Sequence, residues 1–275
     1  MALSLAFSCL SPRLQLVVTV AAVAVAAAGS VVGVTLATRN NPPKLHPQPG
    51  KPPVPSSLPG PVGAEIRLAL AGWPHGSLAT LERLGQQHPK SPLVQFYRGI
   101  GLLWAGYTGD AETVLEQAKR LGRDTRWEIA ADNILHPQYF QGYPVFTPVR
   151  PNTLLARGAR LQAQGHQQSA ERLYRRAARL APNDDQAQVA AAVGRFDKDD
   201  LNASFSQLGP LTRRFPRSQV VRFYLGLLLA WTGQRDQSCT EFRQAVSLGR
   251  TTPLGRNASA FLARACSSGT GSAKK

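Results

Sequence analysis

SPLVQFYRGIGLLWAGYTGDAETVLEQAKRLGRDT, at Ser91–Thr125, recurs 127 residues later as SQVVRFYLGLLLAWTGQRDQSCTEFRQAVSLGRTT, at Ser218–Thr252. Fifteen of the 35 aligned positions are identical without a gap. The identical pairs include Phe96 and Phe223, Tyr97 and Tyr224, Gly99 and Gly226, Trp104 and Trp231, Gly106 and Gly233, and Leu121 and Leu248. Self-similarity of this extent indicates two copies of one structural unit.

A third stretch, NTLLARGARLQAQGHQQSAERLYRRAARLAPND at residues 152–184, carries the same pattern. Its pattern positions are Gly158, Gly165, Ala170, Tyr174, Ala177 and Pro182. The two copies have Gly99, Gly106, Ala111, Leu115 and Ala118, and Gly226, Gly233, Ser238, Phe242 and Ala245, at the matching places. This spacing resembles the tetratricopeptide repeat (TPR) family. The resemblance implies helix–turn–helix units of about 34 residues that stack on one another, because one unit cannot bury its apolar face alone.

The sequence therefore predicts an all-α fold, a TPR-like α-solenoid over residues 64–267, preceded by a single transmembrane helix and a Pro-rich linker. The predicted units lie at about 60–91, 92–124, 151–184, 185–218 and 219–252, with a closing helix at 254–266. Small residues are expected where the two helices of a hairpin approach closely, and Pro182 and Pro216 are expected to end second helices. A short helix is expected at Arg126–Leu135.

A segment rich in proline and aromatic residues, HPQYFQGYPVFTPVRP at 136–151, interrupts the repeat period. Its aromatic residues are Tyr139, Phe140, Tyr143 and Phe146. Such a concentration of aromatic side chains is not expected to stay exposed in a simple linker. Two interpretations remain open: a structured loop that packs over the solenoid, or a lid or internal ligand in its concave groove.

The N-terminal quarter has a different composition, with no Asp or Glu before Glu65. After a tail at 1–13, the uncharged stretch LQLVVTVAAVAVAAAGSVVGVTLA at 14–37 is long enough to cross a bilayer as a helix. An uncleaved single-pass anchor is predicted, with a cleaved signal or a buried helix as alternatives. Residues 38–63 hold nine of the 21 prolines and are predicted to be an extended linker. Residues 268–275 are predicted to be a disordered tail.

Cysteine positions and flanking charges give opposite predictions for the membrane orientation. Only Arg13 precedes the apolar stretch, whereas Arg39, Lys44 and Lys51 follow it, which favours a cytoplasmic repeat domain. Cys239 and Cys266 are nearly equidistant from a predicted turn near residue 252, so an antiparallel hairpin would bring them together. A disulfide would indicate an oxidising compartment, and two unrelated thiols are the alternative. We expect the repeat domain to be extracytoplasmic.

The predicted binding face comes from the TPR resemblance, which implies that first helices bind peptides. The candidate groove residues are Phe96, Ile100, Trp104, Phe223, Leu227 and Trp231. The predicted function is a membrane-tethered, non-catalytic scaffold or adaptor for a protein or peptide segment, such as another protein of a bacterial envelope. Homo-oligomerisation stays open. The same aromatic residues at helical spacing are also consistent with a buried core.

A basic stripe provides an alternative function. Four arginines recur at i, i+3, i+4 and i+7 of one predicted helix: Arg172, Arg175, Arg176 and Arg179. The net charge is +16, and only four of the 32 basic residues precede Glu65. The stripe could bind an anionic lipid or an envelope polymer, or it could be a solvent-exposed helix face without a ligand. Binding of nucleic acid is not favoured.

Motifs for catalysis or metal binding are missing from the sequence. The five histidines lack metal-ligand spacing, and no nucleophile, phosphate-loop or zinc-protease motif occurs. Asp197, Asp199 and Asp200 are interpreted as the start of a helix. No cofactor and no metal ion are predicted, and the chain is not expected to be an enzyme.

Overall fold

The computed structural model describes residues 45–266, which contain twelve α-helices, a short π-helical turn at Leu262–Cys266 and no strand. The all-α prediction is therefore confirmed for this part of the chain. The predicted tail at 1–13, the apolar stretch at 14–37 and the tail at 268–275 lie outside the described residues. No helix between residues 45 and 266 combines the length and the apolar character needed to cross a membrane.

Helices that follow one another in sequence pack against each other, except α5 and α6, which the segment 136–151 separates. The helices are α1 (Gly60–Ala71), α2 (Ser77–Gln87), α3 (Pro92–Trp104), α4 (Thr108–Leu121), α5 (Arg126–Leu135), α6 (Thr153–Ala163), α7 (Gln167–Leu180), α8 (Asp185–Gly194), α9 (Asn202–Arg214), α10 (Gln219–Trp231), α11 (Arg235–Leu248) and α12 (Pro253–Phe261). Each of the five predicted units contains two of these helices. The short helix α5 has the predicted bounds.

The local sequence explains how the hairpins begin and turn. Ser91 and Ser218, identical in the two copies, cap α3 and α10 by accepting a hydrogen bond from a main-chain N–H three residues later. Gly106, Gly165 and Gly233 have φ of 88°, 89° and 77° in the turns after α3, α6 and α10. This left-handed conformation strains residues with a Cβ, so glycine suits these turns.

Close helix approach depends on glycines in the first helices. A Cβ added at Gly99 would lie 2.7 Å from Leu115, and one added at Gly158 would lie 2.4 Å from the Tyr174 ring. Both distances are far below van der Waals contact. The bulky residue of each second helix therefore occupies the space that a side chain would need on the first helix.

Replacing Gly158 with alanine is expected to lower the free energy of unfolding by about 1–2 kcal/mol. Alanine gains about 1 kcal/mol of helix propensity, but overpacking a filled core typically costs more, about 1–3 kcal/mol. Gly209→Ala in α9 is the matched control, since no atom lies within 4 Å of its added Cβ. Urea unfolding should show a gain in stability for the control and a loss for Gly158→Ala. A gain for both variants would contradict the packing argument.

The buried apolar residues form two clusters, one on each side of the interruption. The first joins residues of α1 to α5, and the second joins residues of α6 to α12 with Phe146 from the interrupting segment. The turn before α5 connects the two halves, because the Asp124 carboxylate accepts hydrogen bonds from the main chain and hydroxyl of Ser169. His166 Nδ1 also lies 2.7 Å from the Asp124 carbonyl oxygen.

The Pro-rich region differs from the predicted extended linker at two points. Helix α1 begins at Gly60, inside the range 38–63 that was assigned to the linker. Leu45 is only 8% exposed and belongs to the first apolar cluster, and Pro52 is also buried. The proline-rich stretch therefore packs against the helical domain, at least through Leu45.

Candidate functional site

A segment without helix or strand, residues 143–150, lies against α6, α8 and α10, and we call it the strap. At its start, the Phe146 N–H donates to Gln162 Oε1 over 2.9 Å. The side-chain amide of the same Gln162 donates to the Pro144 carbonyl over 2.9 Å. One glutamine of α6 thus holds the main chain of the strap through both a donor and an acceptor.

Two further helices hold the rest of the strap in the same way. The Thr147 N–H donates to the Tyr224 hydroxyl of α10 over 2.6 Å. The N–H groups of Val149 and Arg150 donate to Gln186 Oε1 of α8 over 2.6 and 2.9 Å. Side chains of three helices thus hydrogen bond to the main chain of the strap.

Aromatic packing anchors the segment. Phe146 is fully buried, with its ring centroid 5.7 Å from that of Tyr174 and 4.9 Å from that of Tyr224. Before the strap, Phe140 packs edge-on against Trp231 at 5.6 Å. Burial of an aromatic side chain supplies a large apolar contribution, so Phe146 is the main apolar anchor of the strap.

The end of the strap is held by charge. The Arg150 guanidinium pairs with Asp184 over 2.6 Å and also with Asp185. Burial opposes ionisation of Asp185, but hydrogen bonds from Ser218 and Arg150 outweigh it and hold the pKa of Asp185 below its usual value. An acidic site at the start of α8 therefore faces the basic end of the strap.

The predicted groove residues divide between the two apolar clusters. Phe96, Ile100 and Trp104 pack with the first apolar cluster, whereas the other three pack with the second. Phe96, Ile100 and Phe223 are buried, as the core interpretation predicts. Trp104, Leu227 and Trp231 are partly buried. Within residues 45–266, the buried Nε1 atoms of Trp104 and Trp231 have no hydrogen-bond partner.

The basic stripe lies on the outer face of α7. All four of its arginines are exposed. Arg172 lies 3.8 Å from the Asp124 carboxylate and Arg175 lies 3.5 Å from Glu171. Both contacts are longer than a good hydrogen bond and both guanidinium groups are well solvated, so these pairs contribute little to stability. The stripe is thus an accessible cationic surface.

A network of charged groups that the sequence did not predict joins the two halves of the molecule. Lys119 of α4 donates to the fully buried Asp132 of α5 over 2.6 Å and also to Asp199. Lys198, itself buried, donates to Asn133 over 2.8 Å and lies 3.6 Å from Asp132. Asp199 is therefore engaged in a long-range ion pair, and α9 begins three residues later, at Asn202.

The electrostatics of this network indicate an ion-pair cluster. Burial opposes the charge of Lys119, yet Asp132 and Asp199 outweigh it, and its pKa is raised. A hydrogen bond from His136 and the contact with Lys119 lower the pKa of Asp199. Oxygen and nitrogen atoms of Asp132, His136 and Asp199 converge within 4.8 Å, a geometry that a metal ion also uses. Here the two carboxylates already face two lysine ammonium groups, which repel a cation.

A disulfide closes the C-terminal end of the domain. Cys239 of α11 and Cys266 of the π-helical turn are bonded, with their Cα atoms 6.0 Å apart. The Cα separation lies within the usual range for a disulfide. The bond holds the closing helix against the last hairpin.

Replacing Cys266 with serine is expected to lower the free energy of unfolding by about 2–4 kcal/mol, because the closed loop restricts the unfolded chain. Thermal unfolding with and without a thiol reductant measures the effect. Reduction should destabilise the native protein and leave the variant unchanged. A variant that unfolds at the native temperature would show that the disulfide does not stabilise this end.

Two surfaces are thus candidates for function, the strap-bound face of α6, α8 and α10 and the basic stripe of α7. The first offers hydrogen-bonding side chains, an aromatic pocket and an acidic end, and the second offers exposed positive charge. Comparisons of the chain with family models, with curated proteins and with solved structures gave no match.

Proposed function

We propose that the chain is a membrane-tethered, non-catalytic scaffold whose helical units form a TPR-like α-solenoid and bind a segment of a partner protein. One observation carries the proposal: Gln162, Gln186 and Tyr224 hydrogen bond to the main chain of an extended segment on the face of three helices. Side chains that hydrogen bond to a main chain can bind a peptide. The main-chain hydrogen bonds then supply affinity, and the pockets for side chains supply selectivity.

The repeat architecture supports the same function. Units with glycine at the matching positions Gly99, Gly158 and Gly226 are expected to stack, and stacked helical units would create an extended binding surface. The tether rests on the apolar stretch at 14–37, and the Cys239–Cys266 bond favours an oxidising, extracytoplasmic compartment.

Crosslinking followed by affinity capture from membranes tests the proposal. Trp231→Ala removes the partner of Phe140 beside the strap-bound face, and we expect it to reduce partner capture at least tenfold. Tyr107→Ala is the matched control, since Tyr107 is an exposed aromatic residue between α3 and α4. Equal capture by both variants, with native helical content, would contradict the proposal that the partner binds at Trp231 and the face beside it.

A second candidate function is supported by the exposure of Arg172, Arg175, Arg176 and Arg179. This surface could bind an anionic lipid or envelope polymer through charge. Co-sedimentation with vesicles containing anionic lipid should then be lost on Arg175→Gln/Arg176→Gln and should weaken steeply with salt. Vesicle binding that is unchanged by the double substitution and by salt would exclude the stripe as the lipid-binding surface.

A further inference from the structure

We propose that the face of α6, α8 and α10 binds a partner peptide of the form Pro-x-aromatic-x-Pro-x-Arg, which replaces the strap. The strap has this pattern at Pro144, Phe146, Pro148 and Arg150. The inference rests on the proposed function, because it names the partner segment that the same face takes.

The exposure of the strap alternates with a period of two. Pro144 and Phe146 are buried and Pro148 is partly buried, whereas Val145 and Val149 between and after them are exposed. Successive side chains of an extended chain point to opposite sides. From Pro144 to Pro148 the helices therefore bury every second side chain, whereas Arg150, which is 51% exposed, belongs to the motif through its ion pairs with Asp184 and Asp185.

The hydrogen bonds between the strap and the helices need no main-chain donor at the two proline positions of the motif. The N–H groups that donate to the helices belong to Phe146, Thr147, Val149 and Arg150. Proline lacks this donor, and no bond to the face needs one from position 144 or 148. Prolines also favour the extended conformation before binding, which lowers the entropy lost on binding.

The two side-chain sites select for an aromatic residue and a basic residue. Tyr174 and Tyr224 surround the Phe146 ring and exclude water from it. At the other end, Asp184 and Asp185 accept hydrogen bonds from the Arg150 guanidinium. A glutamate at this position would place a third carboxylate beside the two aspartates.

The strap can be replaced because its bonds are all ones that a second peptide could make. Among residues 45–266, residues 143–150 make no main-chain to main-chain hydrogen bond. The residues that hold the strap belong to helices with their own hairpin partners, such as α6 with α7 and α10 with α11. Release of the strap therefore leaves these hairpin contacts in place, whereas the buried contacts of Phe146 with Tyr174 and Tyr224 have to be made again by the phenylalanine of the peptide.

The experiment measures binding of a labelled peptide, Tyr-Pro-Val-Phe-Thr-Pro-Val-Arg-Pro-Asn, by fluorescence anisotropy. Arg150→Glu in the full chain weakens the strap at its exposed end without changing an apolar contact, and Phe146→Ala weakens it at the anchor. Arg179→Glu on α7 makes the same charge change away from the strap. We expect the Kd for the peptide to be at least tenfold lower with Arg150→Glu than with the native chain or Arg179→Glu.

Peptide variants test the motif. Replacing the phenylalanine of the peptide with alanine, or its arginine with glutamate, should each raise the Kd at least tenfold. No binding of the parent peptide to either strap variant would overturn the proposal, whether the variant keeps its helical content or loses it. Concentration-dependent dimers without peptide binding would assign the face to a second copy of the chain and also overturn it.

The two experiments distinguish failure of the scaffold function from failure of the peptide motif. If Trp231→Ala abolishes partner capture but the peptide does not bind, the scaffold function stands and the motif is wrong. If capture is unchanged by Trp231→Ala and the peptide does not bind, neither proposal stands.

Discussion

Replacing Tyr174 with alanine is expected to lower the free energy of unfolding by about 3–5 kcal/mol, the range for removing a large buried aromatic side chain. Tyr174 is fully buried, and Cβ atoms added at Gly158 and Gly194 would lie 2.4 and 2.8 Å from its ring. Its ring therefore fills the space between α6 and α8, and alanine would leave a cavity there. Urea unfolding followed by circular dichroism measures the change.

Tyr174→Phe separates the ring from the hydroxyl. The hydroxyl donates to Gln162 over 3.0 Å, and the same Gln162 oxygen accepts the Phe146 N–H. Loss of the hydroxyl should cost only about 1 kcal/mol, the usual net value of one hydrogen bond. Equal losses for Tyr174→Ala and Tyr174→Phe would show that the hydrogen bond, and not the filled space, stabilises this hairpin.

Replacing Asp132 with alanine is expected to destabilise the fold by about 3–5 kcal/mol, because removing one partner of a buried ion pair leaves the other charge uncompensated. Lys198 is buried, and the side chain of Lys119 is only 12% exposed. Both ammonium groups would then lack their nearest buried carboxylate. Chemical unfolding of the variant and the native chain gives the difference.

Glu65→Ala is the control for Asp132→Ala. Glu65 pairs with Arg83, but both side chains are more than 40% exposed, and exposed pairs contribute about 0–1 kcal/mol. Lys198→Met in the Asp132→Ala background should recover part of the stability, since it removes a buried charge. Similar losses for Asp132→Ala and Glu65→Ala would mean that water reaches the network.

The hairpins could be predicted from the sequence because their determinants are local. Gly165 and Gly233 have the left-handed conformation that the turns require, and Gly158 lies beneath Tyr174 as the pattern requires. The pairing of Cys239 with Cys266 is one of two alternatives that the sequence leaves open, and the structure has the disulfide, because a hairpin brings residues equidistant from its turn together. Residue type and spacing are sufficient for features of this kind.

The candidate site was only partly predictable because it joins distant parts of the chain. The sequence predicts that Phe146 does not stay exposed, but it does not single out Gln162 or Gln186. Glutamine is common on helix surfaces, and its type alone does not reveal a partner. Only the path of the strap across three helices gives these amides their role.

The ion-pair network was missed for a related reason. Lys119 is 13 residues from Asp132 and 80 from Asp199, and no motif links these positions. Asp199 was interpreted as part of a helix start because acidic residues often precede helices. A single sequence does not show that a loop before α9 returns to α4 and α5.

The burial of Leu45 sets a bound on the distance between the domain and a bilayer. If residues 14–37 cross the membrane, only residues 38–44 lie between it and Leu45, the first packed side chain among residues 45–266. Even fully extended, this stretch reaches no more than about 25 Å. The point at which Leu45 joins the first apolar cluster would then lie within about 25 Å of the lipid surface, whatever the length of the Pro-rich stretch that follows it.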